Sequence, residues 1–279
     1  MTIAGLFWIT RPANAAAAGL AAIVAYLIAT GTLVPAVALL FFVVLLITAA
    51  GNVINDYFDI EIDRVNRPDR PIPSGEVTPR AARAYAATLF LAGILVCIPT
   101  NLFCIAIAVF NALLLIAYAA RLKRLPLIGN LAVSYLAGSM FLFGGALSGT
   151  EGIIHVLPFA VMTFFAMLAR ELVKDAEDVE GDQISGAVTV PIRYGIRTTA
   201  ALALVCAILG TFASFIPFTW WGIGYLGGIL VVDAILLFAC VKAVRCQTAV
   251  ALKSSGASML LKLGMFASLI IFTLSALFL

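Results

Sequence analysis

Residues 33–63 read LVPAVALLFFVVLLITAAGNVINDYFDIEID. From Leu33 to Ala50 no side chain is charged, and then Asn52, Asn55, Asp56, Asp59 and Asp63 follow within twelve residues. An apolar run of this length suits a helix crossing a bilayer, which takes about 20 residues. Carboxylates at the mouth of such a helix are costly, which points to function. On a helix Asp56, Asp59 and Asp63 stand at i, i+3 and i+7 and share one face, and Asn55, Asp59 and Asp63 stack at i, i+4 and i+8. Carboxylates this close raise one another's pKa unless a cation neutralises them. Oxygen-only ligands suit a hard cation such as magnesium, which keeps waters and shares its shell with substrate phosphates.

The pattern recurs. In RELVKDAEDVEGD (residues 170–182), Asp175, Asp178 and Asp182 repeat the spacing, and Lys174 stands where Asn55 stands in the first copy. Each copy ends an apolar run and precedes a polar loop with Pro and Arg. A single acidic triplet reads equally well as a solvated helix end. Two matched copies at two membrane exits point to a paired site.

The composition sets the class. Of 279 residues, 63% are hydrophobic and 11% charged, and the mean hydropathy is +1.13. No soluble domain is so apolar, so the chain reads as an all-α polytopic membrane protein. The runs are too long for the alternating strands of a membrane β-barrel. Divided at Pro, Gly and charges, they predict about nine spans, near residues 6–30, 33–56, 82–100, 102–120, 126–149, 153–175, 198–216, 218–242 and 257–278. The apolar N-terminal stretch is read as the first span rather than a cleaved signal. The whole chain, 1–279, is expected to be one integral-membrane domain, with its motifs in 52–70 and 170–182.

The net charge of +3 is uninformative, but its placement is not. The 17 Lys and Arg fall at the N-terminus, after spans two, four, six and eight, or at bordering helix ends. The alternate connections, 30–35, 99–101, 148–155 and 216–220, carry none. By the positive-inside rule the N-terminus and both acidic motifs are cytoplasmic and the C-terminus is outside. The motifs end spans two and six, so both helices run the same way and the halves read as parallel repeats. Pseudo-two-fold symmetry is then expected to place both acidic faces around a central cavity, giving two metal sites about one diphosphate.

The loop after the first motif holds Arg64, Arg67 and Arg70 among turn formers. A guanidinium grips phosphate oxygens with two parallel hydrogen bonds. Carboxylates for metal beside arginines for phosphate is the combination that binds a metal diphosphate. Arg11, with Asn14 a turn deeper, is either a topological anchor or a cavity residue. Lys123, in the basic cluster after span four, is either a topology determinant or a further phosphate contact. Small residues in span five, Gly138, Ser139, Gly144 and Gly145, suit close helix packing. The five cysteines show no metal spacing and read as packing residues. His155, the one histidine, reads as a surface residue. Asp233, inside span eight, is either functional or paired with a neighbouring helix.

The series Asn52-x-x-Asn55-Asp56-x-x-Asp59-x-x-x-Asp63-Arg64, then Arg70-Pro71-x-Pro73-Ser74-Gly75, then Lys174-Asp175-x-x-Asp178-x-x-Gly181-Asp182 resembles the UbiA-type intramembrane prenyltransferases over essentially the whole chain. That resemblance implies a helical ring around a central cavity and a magnesium-dependent transfer of a prenyl group from its diphosphate. It implies that Asn55, Asp59, Asp63, Asp178 and Asp182 organise magnesium, with Asp56 and Asp175 supporting. Asn52, Arg64, Arg67, Arg70, Lys123 and Lys174 are then expected at the diphosphate.

Members that prenylate aromatic acceptors commonly carry Tyr four residues before the Lys-Asp pair, where this chain has Arg170. The Arg version is similar to the archaeal ether-lipid branch. By that resemblance the substrates are geranylgeranyl diphosphate and geranylgeranylglyceryl phosphate, joined at the free sn-2 hydroxyl. An acceptor bearing its own phosphate wants an added cation, which Arg170, with Arg11 and Asn14, offers. The partners implied are these lipids and the bilayer, with no nucleic acid and no obligate protein partner. The rivals are an aromatic prenyltransferase of the same family and, from another class, a secondary transporter, whose site belongs near the bilayer midplane.

Overall fold

A computed structural model describes residues 2–184 and 186–279. Among them, nine helices are long and apolar enough to cross a membrane. The chain divides into two compact units: the first runs to Arg121 and takes in Met140–Ile154, and the second comprises Leu122–Ser139 and His155–Leu279.

The first unit opens with α1 (Ile3–Ile9) and α2 (Pro12–Thr30), then α3 (Val37–Phe58), α4 (Ile60–Asn66), α5 (Pro79–Cys97) and α6 (Leu102–Ala120). The expected first span, 6–30, is therefore two helices. The physical reason is Pro12, whose ring disfavours helical backbone at the residue before it. Arg11 takes φ 50, ψ 63 instead, and Pro12 begins the next helix at a position where its missing N–H costs nothing.

The central element of this unit is α3, which packs on α2, α5 and α6. Leu40, Val43, Ala50 and Val53 are at most 1% exposed, while Phe42 keeps 52% of its surface exposed. Apolar side chains facing outward are also frequent on α5 and α6, as at Leu91, Leu95 and Leu113. Outward apolar faces on spanning helices meet lipid rather than water, so burial alone does not mark the core. Asn101 caps α6 with its side-chain oxygen and donates its amide to the Ala146 carbonyl at 2.7 Å.

The second unit contains most of α7 (Ile128–Ala146) and α8 (Thr150–Glu177), then α9 (Val179–Ile184), α10 (Val190–Tyr194), α11 (Ile196–Ser214), α12 (Phe218–Val244), α13 (Ala249–Ser255) and α14 (Ala257–Phe278). Its interior is built on Phe159, Leu172, Tyr225, Ile229, Leu261 and Phe272, all buried, with Phe159 and Phe272 meeting edge to face at 4.9 Å. The 28 residues of α8 make a helix of about 42 Å. That exceeds a hydrocarbon core of about 30 Å, so one end extends past it.

The ninth candidate span also differs from expectation. It begins at Ala249 rather than 257 and bends at Gly256, whose φ of 70 a glycine adopts without strain. The third begins at Pro79, capped by the Thr78 hydroxyl, three residues before the expected start. Small residues in span five do serve close packing. A Cβ on Gly138 would stand 2.6 Å from the Ala160 carbonyl oxygen, and one on Gly144 would collide with the Ala22 carbonyl.

Candidate active site

In the first unit α3 ends at Phe58 and α4 starts at Ile60, so Asp59 sits at a bend with φ −94, ψ 5. The continuous helix expected through the motif is thus interrupted at its middle aspartate. The i to i+4 backbone bonds nonetheless run on, with the Asp59 N–H to the Asn55 carbonyl at 3.0 Å and the Asp63 N–H to the Asp59 carbonyl at 2.8 Å. The expected stacking of Asn55, Asp59 and Asp63 is therefore kept, and the Asn55 amide donates to Asp59 Oδ2 at 2.9 Å.

Asp56 and Asp63 are buried, at 3% and 5% exposure. Arg70 joins them, its Nη1 lying 2.5 Å from Asp63 Oδ2 and 3.2 Å from Asp56 Oδ1. Arg11 Nη2 reaches the same Asp56 oxygen at 2.5 Å. Arg70 is presented by a compact loop anchored by the buried Ile72 and Val77, in which the Val77 N–H donates to the Pro71 carbonyl at 2.8 Å. Two buried carboxylates against two guanidiniums make a charge-balanced cluster, which is what burial of carboxylates requires.

The remaining candidates of this unit lie apart from that cluster. Asn52 donates to the Thr10 carbonyl at 2.9 Å. Arg64 pairs with Glu61 on an exposed face. Arg67 and Asn14 are exposed.

The second unit repeats the arrangement with different chemistry. Here α8 stops at Glu177 and α9 begins at Val179, so the middle aspartate, Asp178, again marks the bend. The Asp178 N–H reaches the Lys174 carbonyl and the Asp182 N–H the Asp178 carbonyl, both at 3.0 Å. Asp175 accepts a hydrogen bond from Asn130 Nδ2 at 2.8 Å. Lys174 and Asp178 are exposed, whereas Lys123 and Asp182 are half-buried. Burial, and then the charge of Asp178, raises the Asp182 carboxyl above the ordinary carboxylate range. Arg170 Nη1 donates to Glu171 Oε1 at 2.5 Å, and its buried Nε has no hydrogen-bond partner among the described residues.

Asn130 is a site residue that the sequence reading missed. It is 8% exposed and lies 45 residues before its aspartate, the separation that also divides Arg11 from Asp56. The signal was a polar amide two residues into an apolar helix.

Among the described residues no three His, Cys, Asp or Glu side chains converge closely enough to hold a metal unaided. Magnesium characteristically uses one or two carboxylates and completes its shell with water and substrate phosphate. The mutual charge of Asp178 and Asp182, which raises the Asp182 pKa, is the kind a dication relieves. The donor set fits a magnesium diphosphate rather than an all-protein metal cage.

The profile of the UbiA prenyltransferase family matches residues 17–276. The chain belongs to the UbiA prenyltransferase family. It is accordingly an integral membrane protein. It is 59% identical over all 279 residues to the digeranylgeranylglyceryl phosphate synthase of Methanoregula boonei, covering 100% of both chains. To the enzyme of the same name from Methanoculleus marisnigri it is 52% identical, covering 99% of each. A solved structure giving insights into digeranylgeranylglyceryl phosphate synthase in membranes matches with a TM-score of 0.88 at 34% identity, over 99% of both chains. A UbiA homologue from Archaeoglobus fulgidus bound to DMAPP and Mg2+ shares the fold, with a TM-score of 0.65 at 16% identity over 94% of this chain and 98% of that one.

The Asp233 alternatives also have a structural answer. Within the second unit Asp233 is 5% exposed and accepts a 2.6 Å hydrogen bond from Ser214 Oγ. Tyr225 donates its hydroxyl to the Ser214 carbonyl at 2.9 Å. The carboxyl pairs with the neighbouring helix and ties α11 to α12.

Proposed function

We propose that this UbiA-family enzyme transfers a geranylgeranyl group from geranylgeranyl diphosphate to the sn-2 hydroxyl of geranylgeranylglyceryl phosphate. The observation that carries the reading is 59% identity, end to end, with a digeranylgeranylglyceryl phosphate synthase. Arg170 supports it from the chain's own residues, since its buried Nε is one guanidinium donor unmatched by any acceptor among the described residues.

In the reaction the bond from the allylic carbon to the diphosphate oxygen breaks, and the electron pair leaves with diphosphate. The acceptor oxygen forms the new carbon–oxygen bond, and its proton passes to a carboxylate or to the released diphosphate. Magnesium, when bound, would supply the charge that neutralises the leaving group. Asn55, Asp59 and Asp63 in the first unit and Asp178 and Asp182 in the second would hold it, with Asp56 and Asp175 behind them. Arg70 and Lys174, with Arg64, Arg67 and Lys123, bring positive charge to the diphosphate. Arg170 and Arg11, with Asn14, take the acceptor phosphate. Apolar side chains of the spans would keep water from an allylic cation and accommodate long prenyl tails. The whole chain acts as one catalytic domain, with N-terminus and site cytoplasmic and C-terminus outside. No further protein is required.

The test uses purified protein, labelled geranylgeranyl diphosphate and magnesium, with geranylgeranylglyceryl phosphate and 4-hydroxybenzoate in parallel. Ether product that needs magnesium and vanishes in Asp59→Asn is the expected result. Product from the aromatic acid alone would replace the acceptor and keep the family chemistry.

A further inference from the structure

Two residues of α3, one turn apart, hold two consecutive residues of the α1–α2 junction. Asn52 donates to the Thr10 carbonyl at 2.9 Å, and Asp56 accepts from Arg11 Nη2 at 2.5 Å. Between them they fix a residue in an unusual state. Arg11 and Leu127 are the two non-glycine residues with positive φ among the described residues. An L residue with a Cβ reaches this left-handed region only against a steric penalty, so surrounding contacts must hold it there. Two polar pairs thus lie along the first motif. Asn55 donates to Asp59, while Asn52 and Asp56 both reach the junction, and Arg70 links Asp56 to Asp63.

The other unit shows what anchoring alone requires. At the same separation of 45 residues, Asn130 holds Asp175 with a neutral amide. A guanidinium is not needed to satisfy the first aspartate of a motif. Asp56, moreover, already has Arg70 at 3.2 Å. Arg11 therefore brings more to this place than a partner for Asp56. Its Nη2 is spent on the carboxylate, yet 39% of its side chain is exposed and it carries five N–H donors. A guanidinium oriented on one edge by a buried carboxylate and open on another is set to grip a phosphate.

We propose that Asn52 and Asp56 are positioning residues, not ligands of metal or diphosphate, and that they hold the Arg11 guanidinium for a substrate phosphate. This rests on the prenyl-transfer reading for the identity of that phosphate, taken above as the acceptor's, and the test separates it from the donor's. Asn52 fixes the backbone of the junction and Asp56 fixes the side chain. Arg11 is the residue that touches substrate.

The experiment compares wild type with Asn52→Ala, Asp56→Asn, Arg11→Ala and the Asn52→Ala/Arg11→Ala double variant, all as full chain in detergent. Titration calorimetry measures binding of geranylgeranyl diphosphate and of geranylgeranylglyceryl phosphate separately, and paramagnetic resonance measures Mn2+ binding. Turnover gives KM for each substrate and kcat. The expected result is an affinity about tenfold weaker and a KM about tenfold higher for one of the two phosphate substrates, with kcat and Mn2+ affinity within about threefold. The substrate affected identifies the phosphate held. The double variant should lose no more than Arg11→Ala alone, because both of its changes act through one guanidinium.

Asn52→Ala leaves every charge of the buried cluster in place, so it decides the matter if Asp56→Asn does not fold. Mn2+ affinity falling tenfold in Asp56→Asn, as expected for Asp59→Asn, would overturn the assignment by making Asp56 a ligand. Equal losses for both substrates, or none for either, would overturn it as well. If wild type makes no ether product, the prenyl-transfer reading fails, and the binding arms still decide whether Arg11 holds a phosphate.

Discussion

Asn130 donates its amide to Asp175 over 2.8 Å, joining the start of α7 to the second acidic motif. The first motif makes the corresponding link through Arg11 and Asp56. In each unit the opening aspartate is thus committed to a polar side chain at the start of a long helix, and the middle aspartates, half-buried Asp59 and exposed Asp178, are the more accessible carboxylates, whereas Asp63 is buried against Arg70. The bend at Asp59 and at Asp178 then divides each motif between its opening and its closing aspartate.

Replacing Asn130 tests that division. Asn130→Ala removes the donor from Asp175 and should cost about 1–3 kcal/mol, read as a lower melting temperature in detergent. Asn130→Asp sets a like charge against Asp175 and should cost more. Equal melting temperatures for all three proteins would show that the contact does not anchor α7.

Arg170 should discriminate between substrates. Arg170→Tyr is expected to raise the KM for geranylgeranylglyceryl phosphate by about tenfold and leave that for geranylgeranyl diphosphate within about twofold. Steady-state kinetics with each substrate varied in turn separates the two. A rise confined to the donor would move Arg170 to the diphosphate.

The raised Asp182 carboxyl gives a pH dependence with a definite sign. Its folded pKa lies above the unfolded value, so its contribution to stability is complete below the unfolded pKa and is lost as pH rises through the folded one. Without metal, melting temperature should fall across that window, and Asp182→Asn should flatten the fall. Magnesium binds the deprotonated carboxylate, so its half-saturating concentration should drop over the same range, and saturating magnesium should offset the loss.

Close packing in α7 predicts a stability effect remote from chemistry. Gly138→Leu drives a side chain at the Ala160 carbonyl, which a Cβ alone would approach to 2.6 Å. Overpacking of this kind costs about 1–3 kcal/mol. A lowered melting temperature with unchanged KM values in the surviving folded protein is the expected outcome.

The sequence by itself determined the membrane class, the nine candidate spans and the doubled acidic motif. Hydropathy and spacing are local properties, and a bilayer leaves helices as the way for long apolar runs to satisfy their backbone. The Arg11–Pro12 step also carried a readable break, because the constraint before proline acts between neighbours. Tertiary structure decided which polar groups meet. Arg11 finds Asp56, and Asn130 finds Asp175, across 45 residues, and Ser214 finds Asp233 by the packing of α11 on α12. No periodicity encodes such pairings. A buried carboxylate takes whatever donor the helix packing brings within about 3 Å, and that choice is made by shape and charge together.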